Sequence, residues 1–82
     1  MKKLQNVFKV LASEYMNCSI NGNPKKRLVL EDRGGNVYIA TTATDALCGY
    51  YGYERGREYF FTYHYTRNSC NMIIDYMEDI KQ

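Results

Sequence analysis

The chain has no tryptophan, one proline and one histidine in its 82 residues. It has no apolar run long enough to span a bilayer, and Met1-Lys2-Lys3-Leu4 leads into mixed sequence rather than a signal-peptide core. The three cysteines, Cys18, Cys48 and Cys70, are odd in number and widely spaced. That pattern argues against a disulfide framework and for a reducing compartment such as the bacterial cytoplasm. No Cys-x-x-Cys pair is present to nucleate zinc around His64, and the glycines follow no phosphate-loop pattern. A surplus of one charge is also missing. Eleven Lys and Arg stand against nine Asp and Glu, a net charge of +2. Proteins that live on the DNA backbone are usually more basic, so nucleic acid is permitted as a partner without being required. The length allows a single domain, residues 1–82, with a modest core.

Tyrosine is what the chain has in excess. There are nine, and six of them fall between Tyr50 and Tyr65. A tyrosine joins a large apolar ring to a polar tip and so suits rims and contact surfaces. The second marked feature is Ser19-Ile20-Asn21-Gly22-Asn23-Pro24-Lys25-Lys26-Arg27, a turn that ends in three positive charges.

The pattern is one of short strands and turns. Lys26 to Glu31 alternates, with Leu28 and Leu30 on one face and Arg27, Val29 and Glu31 on the other. Asp32-Arg33-Gly34-Gly35-Asn36 supplies a tight reversal, and Val37 to Thr41 returns with Val37 and Ile39 expected inward and Tyr38 outward. Thr44 to Gly49 reads as one helical turn, capped by Thr44 and stopped by Gly49. The stretch from Gly49 to Gly56 is loop, and Glu58 to Thr66 is a strand rich in aromatic and Thr residues. Both ends are ambiguous. Val7 to Tyr15 and Met72 to Ile80 fit a strand or a helix, and we read both as strands. The result is a mainly β domain, a five-stranded antiparallel barrel like the oligonucleotide-binding (OB) fold, with a short helix between strands three and four. An SH3-like barrel, or an α+β domain with a terminal helix, are the alternatives.

In such a barrel the connections before strand two and after strand four flank a floor made by strands two and three. Lys25, Lys26, Arg27, Arg67 and Asn68 would ring that floor, and Tyr38 would lie on it as a stacking platform. The Gly49–Gly56 loop and the strand after it offer a different surface, with Tyr50, Tyr51, Tyr53 and Phe60 as anchors for a protein. Tyr51 and Tyr53 are expected to be the more exposed, with Tyr50 tucked beside Leu47. Tyr59, Phe61, Tyr63 and Tyr65 share one face of their strand, and a small barrel cannot swallow four such rings, so at least one hydroxyl must emerge at a rim. His64, between two tyrosines, reads as a surface strand residue. No nucleophile and base are placed together by spacing, so no catalytic residue, metal or cofactor is assigned.

The segment Ser19-x-Asn21-Gly22-Asn23-Pro24-Lys25, followed by Thr44-Asp45-Ala46, Gly49-Tyr50 and Phe61-x-Tyr63-x-x-Thr66-Arg67, resembles small uncharacterised proteins of bacteriophages and mobile elements. The resemblance spans roughly Ser19 to Asp75. It implies a small barrel that binds nucleic acid or inhibits a host defence system, as anti-CRISPR-like and anti-restriction proteins do. The sequence therefore leads to a non-enzymatic binding protein. Its first expected partner is single-stranded nucleic acid; a host nucleic-acid-handling protein or a second copy of the chain are the others.

Overall fold

The computed structural model describes residues 2–16, 25–43, 52–67 and 71–80. Five strands account for most of them: β1 (Leu4–Tyr15), β2 (Lys26–Glu31), β3 (Val37–Thr42), β4 (Glu58–Tyr65) and β5 (Met72–Asp79). They close a barrel in the order β1-β2-β3-β5-β4, with β4 returning to β1. This is the mainly β, OB-like small barrel that the sequence pattern indicates, with both ambiguous termini as strands. The helix expected over Thr44–Gly49 lies outside the described residues, as do Tyr50, Tyr51, Asn68 and the three cysteines.

One detail differs from a wholly antiparallel barrel. β3 and β5 run parallel, pairing Ala40 with Met72 and Thr42 with Ile74. The other four ladders are antiparallel. Parity requires this, because strand directions cannot alternate all the way round a ring of five.

The hairpin between β2 and β3 sets the most consequential register. Three residues, Arg33 to Gly35, bridge Asp32 and Asn36. The Gly35 N–H donates to the Asp32 carbonyl (3.1 Å) and Gly35 has φ of 88°. This is the three-residue loop with a left-handed third residue that suits glycine. The Asp32 carboxylate locks it: Oδ1 accepts the N–H groups of Gly34 and Asn36 (2.9 Å each), and Oδ2 accepts the Tyr38 hydroxyl (3.0 Å). These bonds, those from Asn36 foremost, hold the Asp32 carboxyl below its usual range. The bond to Asp32 likewise raises the Tyr38 phenol.

This register reverses the expected faces of β3. Leu28 pairs with Ala40 and Leu30 with Tyr38, and directly paired residues share a face. Since Leu28 and Leu30 are fully buried, Tyr38 and Ala40 turn inward, and Val37 and Ile39 turn out, 57% and 65% exposed. The apolar character of Val37 and Ile39 suggested the opposite; the turn length decides otherwise.

The core is aromatic. Phe8 sits at its centre against Tyr38 (5.4 Å between centroids), Tyr63 (5.5 Å) and Phe61 (5.9 Å), with Val10, Leu28, Leu30, Met72, Ile74 and Met77 around them. Small residues on β3 leave room for these rings: Ala40 and Thr42 point in and are buried beside them. On β4, Tyr59, Phe61 and Tyr63 are buried, while Tyr65 emerges at 39% exposure. Burial raises the Tyr63 phenol.

Two bulges explain the ambiguous ends. In β1 the register shifts between Val10 and Ala12, leaving Leu11 unpaired. In β5 Thr62 pairs with Tyr76 and Tyr63 with Ile74, so Asp75 is the extra residue. The inward residues Ile74 and Met77 are therefore three apart, a helix-like interval inside a strand, and Tyr76 points out.

Candidate binding face

The outer face of β1, β2 and β3 consists of three rows, set by register and by strand alternation. Glu14 pairs with Arg27, and Arg27 with Thr41. Ala12 pairs with Val29, and Val29 with Ile39. Lys9 pairs with Glu31, and Glu31 with Val37. The middle row is aliphatic throughout and continues into Val37. The outer rows carry two cations and two carboxylates, which cancel. Arg27 lies 3.9 Å from Glu14 along its row.

The predicted basic residues divide among different places. Arg27 lies on this face. Lys25 precedes β2, half-buried. Lys26 has the inward parity of Leu28; its ammonium lies 5.8 Å from the Tyr53 ring centroid and its N–H donates to Thr42 Oγ1 (3.0 Å). It therefore caps the barrel rather than joining Arg27 on the floor. Arg67 is exposed in the turn after β4. Met72, just beyond that connection, pairs with both Tyr65 and Ala40, which puts Arg67 and the start of β3 at neighbouring places on the rim. Lys25 and Arg67 thus bracket the face from its two connections.

Three aromatic expectations need correction. Tyr38 is not a platform on the floor; it faces inward, edge-on to Phe8, with its hydroxyl on Asp32. Tyr53 is not an exposed anchor. It is 9% exposed, stacked on Phe61 (6.0 Å, 25°) and edge-on to Tyr59 (5.7 Å, 85°). The glycines around it permit many loop paths, but the rings of β4 left open at the barrel end gain most when a ring covers them. Tyr59 is fixed there too, accepting the Glu54 N–H on its hydroxyl (2.8 Å). Phe60 is half-buried on the outer face, between Val7 of β1 and Glu78 of β5, so it does not form one surface with Tyr53. The rings that are exposed among the described residues are Tyr15, Tyr65 and Tyr76. Tyr15 pairs with Lys26 at the start of β2, and Met16 donates to the Lys25 carbonyl (2.7 Å), so an exposed ring stands beside the basic turn. Its place at the ragged end of β1 hid it in the sequence.

A polar cluster occupies the opposite wall. His64 Nδ1 and Asp75 Oδ2 are 2.6 Å apart, and Lys3 Nζ lies 2.8 Å from the same oxygen. The Asp75 bulge brings this carboxylate over β4. No group of three or more metal-ligating side chains is found among the described residues, and no helix there is long and apolar enough to cross a membrane. The grooves near Lys9, Arg33, Arg57 and Glu58 are open and lined by charges that largely pair with one another: Arg33 with Glu58 (3.3 Å), and Arg57 with Glu54 and Asp79 (3.2 Å each).

Compared with protein-family models and with curated proteins, the chain matches none.

Proposed function

We propose that this protein is a non-enzymatic binding module whose contact surface is the outer face of β1, β2 and β3, and that the surface is made for a protein. The observation that carries this is the aliphatic row through exposed Ala12, half-buried Val29 and exposed Ile39, extended by exposed Val37 and framed by charges that sum to zero. Aliphatic surface with a mixed polar rim is the anatomy of a protein contact, whereas a polyanion is drawn to a face of one sign. The inhibitor of a host defence system that the phage resemblance implies is one form this function takes.

A photo-cross-linking benzophenone side chain at position 39 tests the reading, with position 62 on the opposite wall as control. Position 39 should give protein adducts of discrete mass, and position 62 should not. Adducts to nucleic acid, or equal labelling at both positions, would sink it.

A second reading is single-stranded nucleic acid, favoured by one specific observation. Lys25 and Arg67 lie on the two connections that flank the ligand face of OB-like barrels, with the Tyr15 ring beside the first. Its mark is affinity that falls steeply with salt.

A further inference from the structure

We infer that the occupant of this face is a second copy of the chain, packed on it about a twofold axis that lies across the strands. The inference rests on the reading of the face as a protein contact and names the partner. Its warrant is the order of charges. Along β1 the sequence of outward residues is Glu14, Ala12, Lys9; along β2 it is Arg27, Val29, Glu31; along β3 it is Thr41, Ile39, Val37. Each of the first two strands has an acid at one end and a base at the other, with an aliphatic residue between.

Two in-plane axes can stack such a face on itself. An axis parallel to β2 brings each row onto its own equivalent, setting Arg27 against Arg27 and Glu31 against Glu31. An axis across the strands reverses each strand end to end while keeping it over its counterpart. Glu14 then meets Lys9 of the second copy, and Arg27 meets Glu31. Ala12, Val29 and Ile39 meet their own equivalents, and Thr41 meets Val37. Every charge finds its opposite, and the aliphatic row closes on itself. Such self-complementarity is what an isologous interface requires, and aligned strands are the common mode of sheet-on-sheet packing. A foreign partner or a polyanion would not call for a pattern that is its own complement.

Charge reversal tests this by construction. Arg27→Glu places acids at both positions 27 and 31, and Glu31→Arg places bases at both. Each variant alone should repel its own copy and sediment as a monomer, with self-association weakened by about tenfold or more. A one-to-one mixture of the two should form a heterodimer with affinity near that of the wild-type homodimer. Circular dichroism confirms that each variant is folded, and Ile39→Asp provides an independent loss of the dimer without touching the charges. A wild type that stays monomeric at all concentrations in sedimentation overturns the inference. So does a mixture of two folded variants that fails to associate. A monomeric wild type that still gives discrete foreign-protein adducts from position 39 removes the second copy and keeps the protein-contact reading; a monomer without such adducts removes both.

Discussion

Replacing Tyr53 with Ala should unfold much of the margin on which this small barrel stands. The ring stacks on Phe61 and meets Tyr59 edge-on at the barrel end, with Lys26 above it. Truncating a buried aromatic costs about 3–5 kcal/mol. Tyr53 closes an end rather than filling the centre, so the lower figure of about 3 kcal/mol applies, a sum that contains two aromatic contacts of about 0.5–1.5 kcal/mol each. For a domain of this size each kcal/mol moves Tm by about 4–8 °C, which gives a fall of about 12–24 °C. Tyr53→Phe keeps both ring contacts and should stay within about 1 kcal/mol of the wild type. Thermal melts followed by far- and near-ultraviolet circular dichroism report both variants. If Tyr53→Ala melts within about 3 °C of the wild type, the ring is not part of the core, and the surface reading of the tyrosine loop returns.

Four further outcomes follow from named residues. Gly35→Ala should destabilise by about 1–2 kcal/mol through its left-handed backbone alone, because the added Cβ meets nothing within 4 Å. Gly52→Ala, in equally open space without that backbone, should be neutral to slightly stabilising, by less than about 1 kcal/mol in urea titrations. Asp32 has a folded-state pKa held below its ordinary value, chiefly by the bonds from Asn36, so its contribution is complete above the unfolded value and is lost as pH falls through the folded one. The acid limb of stability against pH should therefore be shallower in Asp32→Asn, and an unchanged limb would show that the turn carboxylate is not coupled to folding. If oligonucleotide binding is detected at low salt, Lys25→Ala with Arg67→Ala should lower the logarithmic salt slope by about 1.4, at about 0.7 per lost single-strand phosphate contact; an unchanged slope places the phosphates elsewhere.

The strands were legible because their composition and alternation are local properties. Leu28 and Leu30 alternate with Arg27, Val29 and Glu31, and Tyr59, Phe61 and Tyr63 alternate with Phe60, Thr62 and His64, so both strands show their inner face at once. β1 and β5 were ambiguous for a local reason as well. A bulge at Leu11 and another at Asp75 interrupt the period of two, and Ile74 with Met77 then mimics the spacing of a helix. What no local pattern carries is which strands meet. The parallel β3–β5 pair follows only from closing an odd number of strands into a ring.

The face of β3 was misread because its inner and outer residues are all compatible with burial. Val37 and Ile39 are the better apolar residues, and Tyr38, Ala40 and Thr42 the poorer ones. Yet a barrel filled by Phe8, Phe61 and Tyr63 needs a ring with a polar tip at its rim and small side chains beside the larger rings. Tyr38, Ala40 and Thr42 meet that need in order along the strand. The hairpin then enforces the choice, since one residue more or fewer between Asp32 and Asn36 would reverse every side chain of β3. The consequence reaches the function. With Tyr38 inside, the floor loses the ring on which a base would stack, and with Val37 and Ile39 outside it gains aliphatic surface that water does not favour. Arg27 remains on that floor, but opposite Glu14 and on a strand whose outward side ends in Glu31. The floor expected as a basic aromatic groove is thereby a neutral aliphatic face, and among the described residues Lys25 and Arg67 at its margins keep the basic character.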